Sequence, residues 1–294
     1  MGKGRSMNLA SLRLQWIAAA AVAGTLTVSA LGQDATWTGA GDGTTWSTGV
    51  VNWNDGGATV WPDLATSNAI FDNSGIGTNI SVVGSLNVNN ISFSGANYTI
   101  GGAGDLTFSG GSVITSATTN EINVDLHGTG GVVATGGGTL TLGGTNDFVG
   151  GMSITGGTTV SVSSSNTLGV AGISFNNGTL QATSTITDGG RNLSFAAGNG
   201  TVDVVNGGQT FTIGNLSGGN TLTVTGNGEL SIAGDSTVSG FNPAAARLDV
   251  TTFGVFWAHF DKWLPLHVAA KLLTEYIHKI DQNQHQFLKL YYFY

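Results

Sequence analysis

A short segment recurs about every 20 residues along this chain, and that spacing limits the possible folds more than any other feature. Each copy contains a threonine followed by an aliphatic residue, as in Gly138-Thr139-Leu140. The aliphatic residues of five successive copies are Leu140, Val160, Leu180, Val202 and Leu222. The step between them is constant except between Leu180 and Val202, where it is slightly longer. A fixed return of this length is typical of a solenoid, in which each repeat forms one coil.

Apolar and polar residues alternate within each copy, for example from Leu140 to Leu142 and from Leu222 to Val224. This period of two predicts short strands with one buried face. Glycine and asparagine separate the strands, where turns need a positive φ. A second marker of the same kind consists of Ile91-Ser92-Phe93, Ile173-Ser174-Phe175 and Leu193-Ser194-Phe195.

Stacking is what allows such short strands to bury their aliphatic side chains. A single coil leaves its apolar face in water, whereas coils stacked about 4.8 Å apart pair each strand with the coils above and below. We therefore predict an all-β fold, a parallel β-helix (solenoid) with coils of about 20 residues and with Thr, Ser and Asp pointing outward. An antiparallel sandwich or barrel is the alternative. We favour the solenoid because a sandwich or barrel does not require a constant number of residues between successive strands of one face.

The composition excludes several classes of function. The chain has no cysteine, which removes disulfides, zinc–thiolate sites and cysteine nucleophiles. Between Gln33 and Gly240, Arg191 is the only basic residue against thirteen Asp and Glu. Nucleic-acid binding needs clustered Lys and Arg, so we expect no nucleic-acid partner. Docking on anionic lipid is disfavoured for the same reason.

Residues 1–32 have the pattern of a secretory signal peptide. Basic residues end at Arg13, an apolar core follows from Trp16 to Val28, and Ala30-Leu31-Gly32 provides small residues for cleavage before Gln33. The alternative interpretation is an uncleaved membrane anchor. The apolar core is short for this role, because a membrane span needs roughly 20 residues. We expect a mature chain without a membrane span that is secreted or lies at the cell surface, including association with an outer membrane.

Residues 137–169 resemble the autotransporter-associated β-strand repeat. The resemblance rests on Gly138-Thr139-Leu140-Thr141-Leu142-Gly143, Asn146-Asp147-Phe148-Val149-Gly150-Gly151 and Thr167-Leu168-Gly169. The Trp-rich opening, Trp37-Thr38-Gly39 to Ala69-Ile70-Phe71-Asp72, is similar to the segment that precedes such repeats. The resemblance implies a right-handed parallel β-helix, which in autotransporters is the exported passenger. It implies a passenger-like, adhesin or matrix role.

The pattern divides the chain into four segments. They are a signal peptide at 1–32, a Trp-rich capping segment at 33–80, β-solenoid repeats at 81–240 and an atypical tail at 241–294. The tail contains one glycine and four of the five histidines. Its apolar spacing predicts a short α-helical segment from about residue 262 to residue 290. We expect the tail to be foreign to the repeat architecture, and a frameshift or truncated reading is one cause that fits; a genuine helix that caps the last coil is the alternative.

Three aspartates are the candidate carboxylates of the repeats: Asp105, Asp125 and Asp147, which follow nearly the same period as the aliphatic residues. A stacked row of them could bind Ca²⁺ or supply the acid and base of a glycosidase. Carboxylates on turns are more often only solvated, so we assign no catalytic, cofactor or metal residue. His127 is the only histidine before the tail, and the sequence shows no partner for it.

Two further groups of residues each have two interpretations. Trp37, Trp46, Trp53 and Trp61 either form an aromatic platform for sugars or cover the open end of the solenoid, and we favour the cap. Asn146 and Asn166, one repeat apart, either stack as an inward asparagine ladder or lie in ordinary turns. We favour turns.

These features support two hypotheses about function. The first is a non-enzymatic extracellular or cell-surface β-helix, with extracellular glycans or cell-surface components as partners. The second is a polysaccharide-active β-helix enzyme that uses carboxylates on one face of the solenoid. We favour the first, because the second requires acidic, basic and aromatic residues at matching coil positions and only the carboxylates are present. A lyase acting by β-elimination also needs a cation near the sugar, and Arg191 is the sole candidate.

Overall fold

The computed structural model describes residues 33–243 and 247–250. The expected signal peptide at 1–32 and the helix expected at 262–290 lie outside the described residues. The first fourteen strands are β1 (Asp34–Trp37), β2 (Thr45–Trp46), β3 (Trp53–Asn54), β4 (Ala58–Thr59), β5 (Asn68–Phe71), β6 (Asn79–Val82), β7 (Ser85–Val88), β8 (Asn90–Phe93), β9 (Thr99–Gly102), β10 (Asp105–Phe108), β11 (Ser112–Ser116), β12 (Thr119–Ile122), β13 (Asp125–Gly128) and β14 (Val132–Thr135). The next fourteen are β15 (Thr139–Leu142), β16 (Met152–Thr155), β17 (Thr159–Val162), β18 (Ile173–Asn176), β19 (Gly178–Ala182), β20 (Ile186–Asp188), β21 (Leu193–Phe195), β22 (Gly200–Val204), β23 (Thr210–Ile213), β24 (Leu216–Ser217), β25 (Thr221–Gly226), β26 (Glu229–Ile232), β27 (Gly240–Pro243) and β28 (Arg247–Val250). Within the described ranges one 3₁₀ helix, Ser165–Leu168, interrupts them.

The strands form a parallel β-solenoid whose coils have up to three sides. Face A is an eleven-stranded sheet in the order β24-β21-β18-β16-β14-β11-β8-β5-β1-β3-β4. Face B is a ten-stranded sheet in the order β2-β6-β9-β12-β15-β17-β19-β22-β25-β27. The third side consists of two shorter sheets, β13-β10-β7 and β20-β23-β26-β28. Only the β1–β3 and β3–β4 pairs are antiparallel among the described strands, so the predicted all-β solenoid is confirmed.

The interior of face B is the predicted aliphatic stack. Leu140 lies opposite Val160, Val160 opposite Leu180, and Leu180 opposite Val202. The 20-residue step from Val202 to Leu222 predicts that these two side chains stack, and this is wrong. Leu222 is buried but lies opposite Gly200, and Val224 pairs with Val202. The shift reflects a longer coil, because Gly200 and its partner Leu222 are 22 residues apart rather than 20. Residue 200 itself must be small, because a Cβ there would approach the rings of Phe175 and Phe195 to 2.6–2.8 Å. A shift by an even number of positions keeps the same side chains inside.

Aromatic side chains fill the N-terminal end of the solenoid. Trp37, Trp46, Trp53 and Trp61 are at most 1% exposed. Their ring centroids lie 4.7–5.3 Å apart in four pairs, within the range of favourable aromatic contacts. The antiparallel strands β3 and β4 form the N-terminal edge of face A above this cluster. Buried indoles present no ring face to a sugar, so this geometry fits the capping interpretation and excludes a surface platform.

The third side is interrupted between β13 and β20. Here the chain forms a turn around Asn146 and then the 3₁₀ helix instead of strands. Phe148 and Leu168 fill the interior at this level and are fully buried. Gly169 follows the helix with φ of 70°, and a Cβ there would approach the Phe148 ring to about 2.5 Å. The interruption therefore places loops, rather than a sheet, on this side of two consecutive coils.

Two strands, β27 and β28, begin at or after Gly240, the position where the composition changes. Strand β27 pairs with β25, and β28 pairs with β26, both in parallel. Phe241 occupies the register position opposite Leu222, and Leu248 the position opposite Leu230. The solenoid therefore continues to Val250.

Candidate functional site

Face B carries an outward column of six threonines, which we call the threonine column. Its members stand at equivalent positions on six consecutive strands: Thr119, Thr139, Thr159, Thr179, Thr201 and Thr223. Each lies beside an inward residue of the stack, and each is exposed or half-buried. The repeat produces this column directly, because in five of the six strands the threonine immediately precedes an aliphatic residue of the face B interior, and Thr119 precedes Asn120 at the equivalent position.

A second outward column lies two positions further along the same strands. It contains Glu121, Thr141, Ser161, Gln181, Asp203 and Thr225. The Ser161 hydroxyl donates to Gln181 Oε1, the Gln181 amide donates to Asp203 Oδ2, and each bond is 2.9 Å long. Thr225 Oγ1 donates to the other Asp203 oxygen, also at 2.9 Å. These four side chains thus form a ladder across the coils in which they hydrogen-bond one another.

The threonine column differs from this ladder in its hydrogen bonding. Among the residues that the structure describes, none of the six threonine hydroxyls has a hydrogen bond to protein. A hydroxyl has one donor and two acceptor sites. The column therefore presents regularly spaced hydrogen-bond donors and acceptors to solvent or to a ligand on the outer surface of face B.

Asp105 and Asp125, two of the three candidate carboxylates, are neighbours in register on the third side. Asp105 accepts hydrogen bonds from Ser85 Oγ at 2.7 and 2.6 Å, and Asp125 accepts from the Thr145 backbone N–H at 2.6 Å. Each carboxylate is thus held by a neighbouring coil.

Asp147 belongs to a different row from the other two. Its carboxylate lies 2.7 Å from Nδ1 of His127, and its backbone N–H donates to the Leu126 carbonyl. The step from Asp125 is two residues longer than the repeat and moves Asp147 two positions along the strand, so a single row of the three aspartates does not form. In the described part of the chain, no group of three His, Asp or Glu residues is placed to hold a metal ion.

Arg191 is buried, with its side chain 6% exposed. Its Nε lies 2.5 Å from Asp188 Oδ2, and its terminal nitrogens donate to backbone carbonyls around the 3₁₀ helix. The accepting carbonyls belong to Ser165, Leu168, Gly169 and Ala171. This guanidinium fastens the interruption to the next coil, and its donors are not available to a sugar.

A shallow groove of about 380 Å³ crosses five coils of face A. Its glycines are Gly111, Gly131, Gly150, Gly151 and Gly172. Serines 153, 174 and 194 supply its hydroxyl groups, and none of its lining residues is charged. The groove therefore has no group for acid–base chemistry.

Asn120 and Asn146 are buried inside the solenoid. The sequence pattern did not identify Asn120, and it favoured an ordinary turn position for Asn146. Asn120 is 1% exposed, lies inside opposite Leu140, and accepts from the Tyr98 backbone N–H at 2.8 Å. Its position one repeat before Leu140 is the signal that could have identified it. Asn146 is buried and accepts from Leu126 N–H at 2.8 Å, whereas Asn166 is exposed. An inward ladder of the two asparagines is therefore excluded.

Comparisons with known proteins give no relative: no family model, no curated protein and no solved structure matches the chain. Within the described residues, no helix has the length and apolar character needed to cross a membrane.

Proposed function

We propose that this protein is a non-enzymatic β-solenoid that works outside the cell or on its surface, in a passenger-like adhesin or matrix role. The observation that supports this most is face B, a sheet of ten strands, six of which carry the threonine column outside, with the aliphatic stack inside. Solenoids typically bind partners along such extended surfaces. The export pattern of residues 1–32 and the resemblance of residues 137–169 to passenger repeats support the same role.

The test is to follow the full-length chain in a bacterial host. We expect it to leave the cytoplasm, to be degraded by protease added to intact cells or to appear in the medium, and to have an N-terminus near Gln33 by mass spectrometry. A cytoplasmic marker protein that stays intact controls for lysis. A chain that remains in the cytoplasm with residues 1–32 attached would contradict the proposal.

A polysaccharide-active enzyme is the second candidate, and the in-register pair Asp105 and Asp125 favours it. Two carboxylates that flank a glycosidic bond can act as acid and base. We expect no release of reducing ends from pectin, alginate or neutral glucans. Release that is lost in Asp125→Asn but kept in the matched surface variant Asp55→Asn would replace the structural role with the enzymatic one.

A further inference from the structure

We propose that the threonine column of face B binds an uncharged linear polysaccharide that lies along the solenoid axis. This inference rests on the proposed function, because it assigns the ligand surface of an extracellular solenoid. Face B has a repeat that matches such a ligand, hydroxyls that are free to bond it, and a charge pattern that selects neutral chains.

The repeat of the column comes from the strand spacing. Neighbouring strands lie about 4.8 Å apart, so the five steps from Thr119 to Thr223 cover about 24 Å. Threonine is branched at Cβ and has few χ1 choices, which keeps its hydroxyl and methyl at fixed positions. An extended pyranose chain advances by a similar distance per sugar, so successive sugars meet successive threonines.

The hydroxyls of the column are free to bond such a chain. They have no protein partner among the described residues, while Ser161, Gln181 and Asp203 in the neighbouring column bond one another. A sugar hydroxyl both donates and accepts, as each threonine hydroxyl does. The threonine methyl groups can contact the C–H surface of a sugar ring.

The face is regular in one direction only, and this favours a single chain over a two-dimensional lattice. Along the axis every position of the column is threonine. Across the strands, the next column changes from Glu121 to Gln181 to Asp203. An ice plane or a crystalline sheet needs regularity in both directions, whereas a linear polymer needs it only along the axis.

The charges of the face select against anionic polymers. Glu121 and Asp203 lie two positions along the strand from the threonine column, about 7 Å away by strand geometry. This distance is within the Debye length of about 8 Å at physiological salt. No basic residue stands in either outward column of these six strands to offset the repulsion of a polyanion.

The experiment is affinity electrophoresis of the full-length chain through native gels that contain hydroxyethylcellulose, xyloglucan or galactomannan, with polygalacturonate as the anionic comparison. The test variant combines Thr139→Val, Thr159→Val and Thr179→Val, which keep the shape and remove three hydroxyls. The matched control combines Thr115→Val, Thr135→Val and Thr155→Val on face A. Melting temperatures establish that both variants are folded.

We expect retardation by at least one neutral polysaccharide and none by polygalacturonate. Losing three hydrogen bonds should weaken binding about tenfold or more in the face B variant and leave the face A control unchanged. Replacing the same face B threonines with serine should restore most of the affinity.

Three results would overturn the inference. These are no retardation by any neutral polysaccharide, equal weakening by the two valine triples, and a preference for polygalacturonate. The export test is independent of these outcomes. An exported chain without glycan binding contradicts this inference alone, whereas a chain that stays in the cytoplasm contradicts the proposed function.

Discussion

Shortening Leu180 to alanine is the most direct perturbation of the interior stack. Leu180 is fully buried between Val160 and Val202 on face B. The substitution removes about three methylene equivalents at about 0.8 kcal/mol each, or about 2.4 kcal/mol of transfer free energy. The cavity left between two stacked coils adds to this, so we expect a loss of about 3–4 kcal/mol in the free energy of unfolding.

Urea unfolding followed by circular dichroism measures this loss, and hydrogen exchange locates it. In a solenoid each coil contacts only its neighbours, so protection should fall first in β17, β19 and β22. The matched control is Thr179→Ala, one position earlier and outward, which should change stability by no more than about 0.5 kcal/mol. A loss below about 1 kcal/mol for Leu180→Ala, or equal losses for the two variants, would refute the stacking argument.

Two further predictions concern polar anchors. Arg191→Met should lower the free energy of unfolding by about 3–5 kcal/mol, because it leaves Asp188 and several carbonyls without their partner. Urea denaturation no different from that of the wild type would show that the guanidinium does not hold the interruption of the third side. Hydrogen bonds from Thr45, Thr44 and Asn52 hold the pKa of Asp42 well below its usual value of 3.8. The stabilisation is therefore present above about pH 4 and is lost as the pH falls through the lower folded pKa, so the Tm difference between wild type and Asp42→Asn should be constant near neutral pH and shrink in acid. A difference that grows on acidification would contradict this sign.

The sequence predicted which side chains are inside, because alternation and the regular return together assign a face to every strand residue. It predicted the register less well where the alternation offers two equivalent choices. In Thr221-Leu222-Thr223-Val224-Thr225, either aliphatic residue can stack on Val202, and the length of the preceding turns decides between them.

The candidate site was partly predictable for similar reasons. The threonine column follows from the repeat itself, since each member directly precedes a buried aliphatic or its equivalent. The position of Asp147 beside His127 depends on the length of a turn, which periodicity does not specify. The burial of Arg191 depends on carbonyls of the preceding coil, a full repeat away in sequence, which become visible only when the coils are stacked.

Distances along the threonine column test the central claim, the parallel stacking of coils, most directly. The chain has no cysteine, so pairs of spin labels can be attached at introduced cysteines without background. Double electron–electron resonance should give a separation of about 19 Å for labels at Thr119 and Thr201. For labels at Thr119 and Thr223 the separation should be about 24 Å, because each coil adds about 4.8 Å. Antiparallel pairing of these strands would not give this regular increase. A Thr119–Thr223 distance no longer than the Thr119–Thr201 distance would therefore contradict the account.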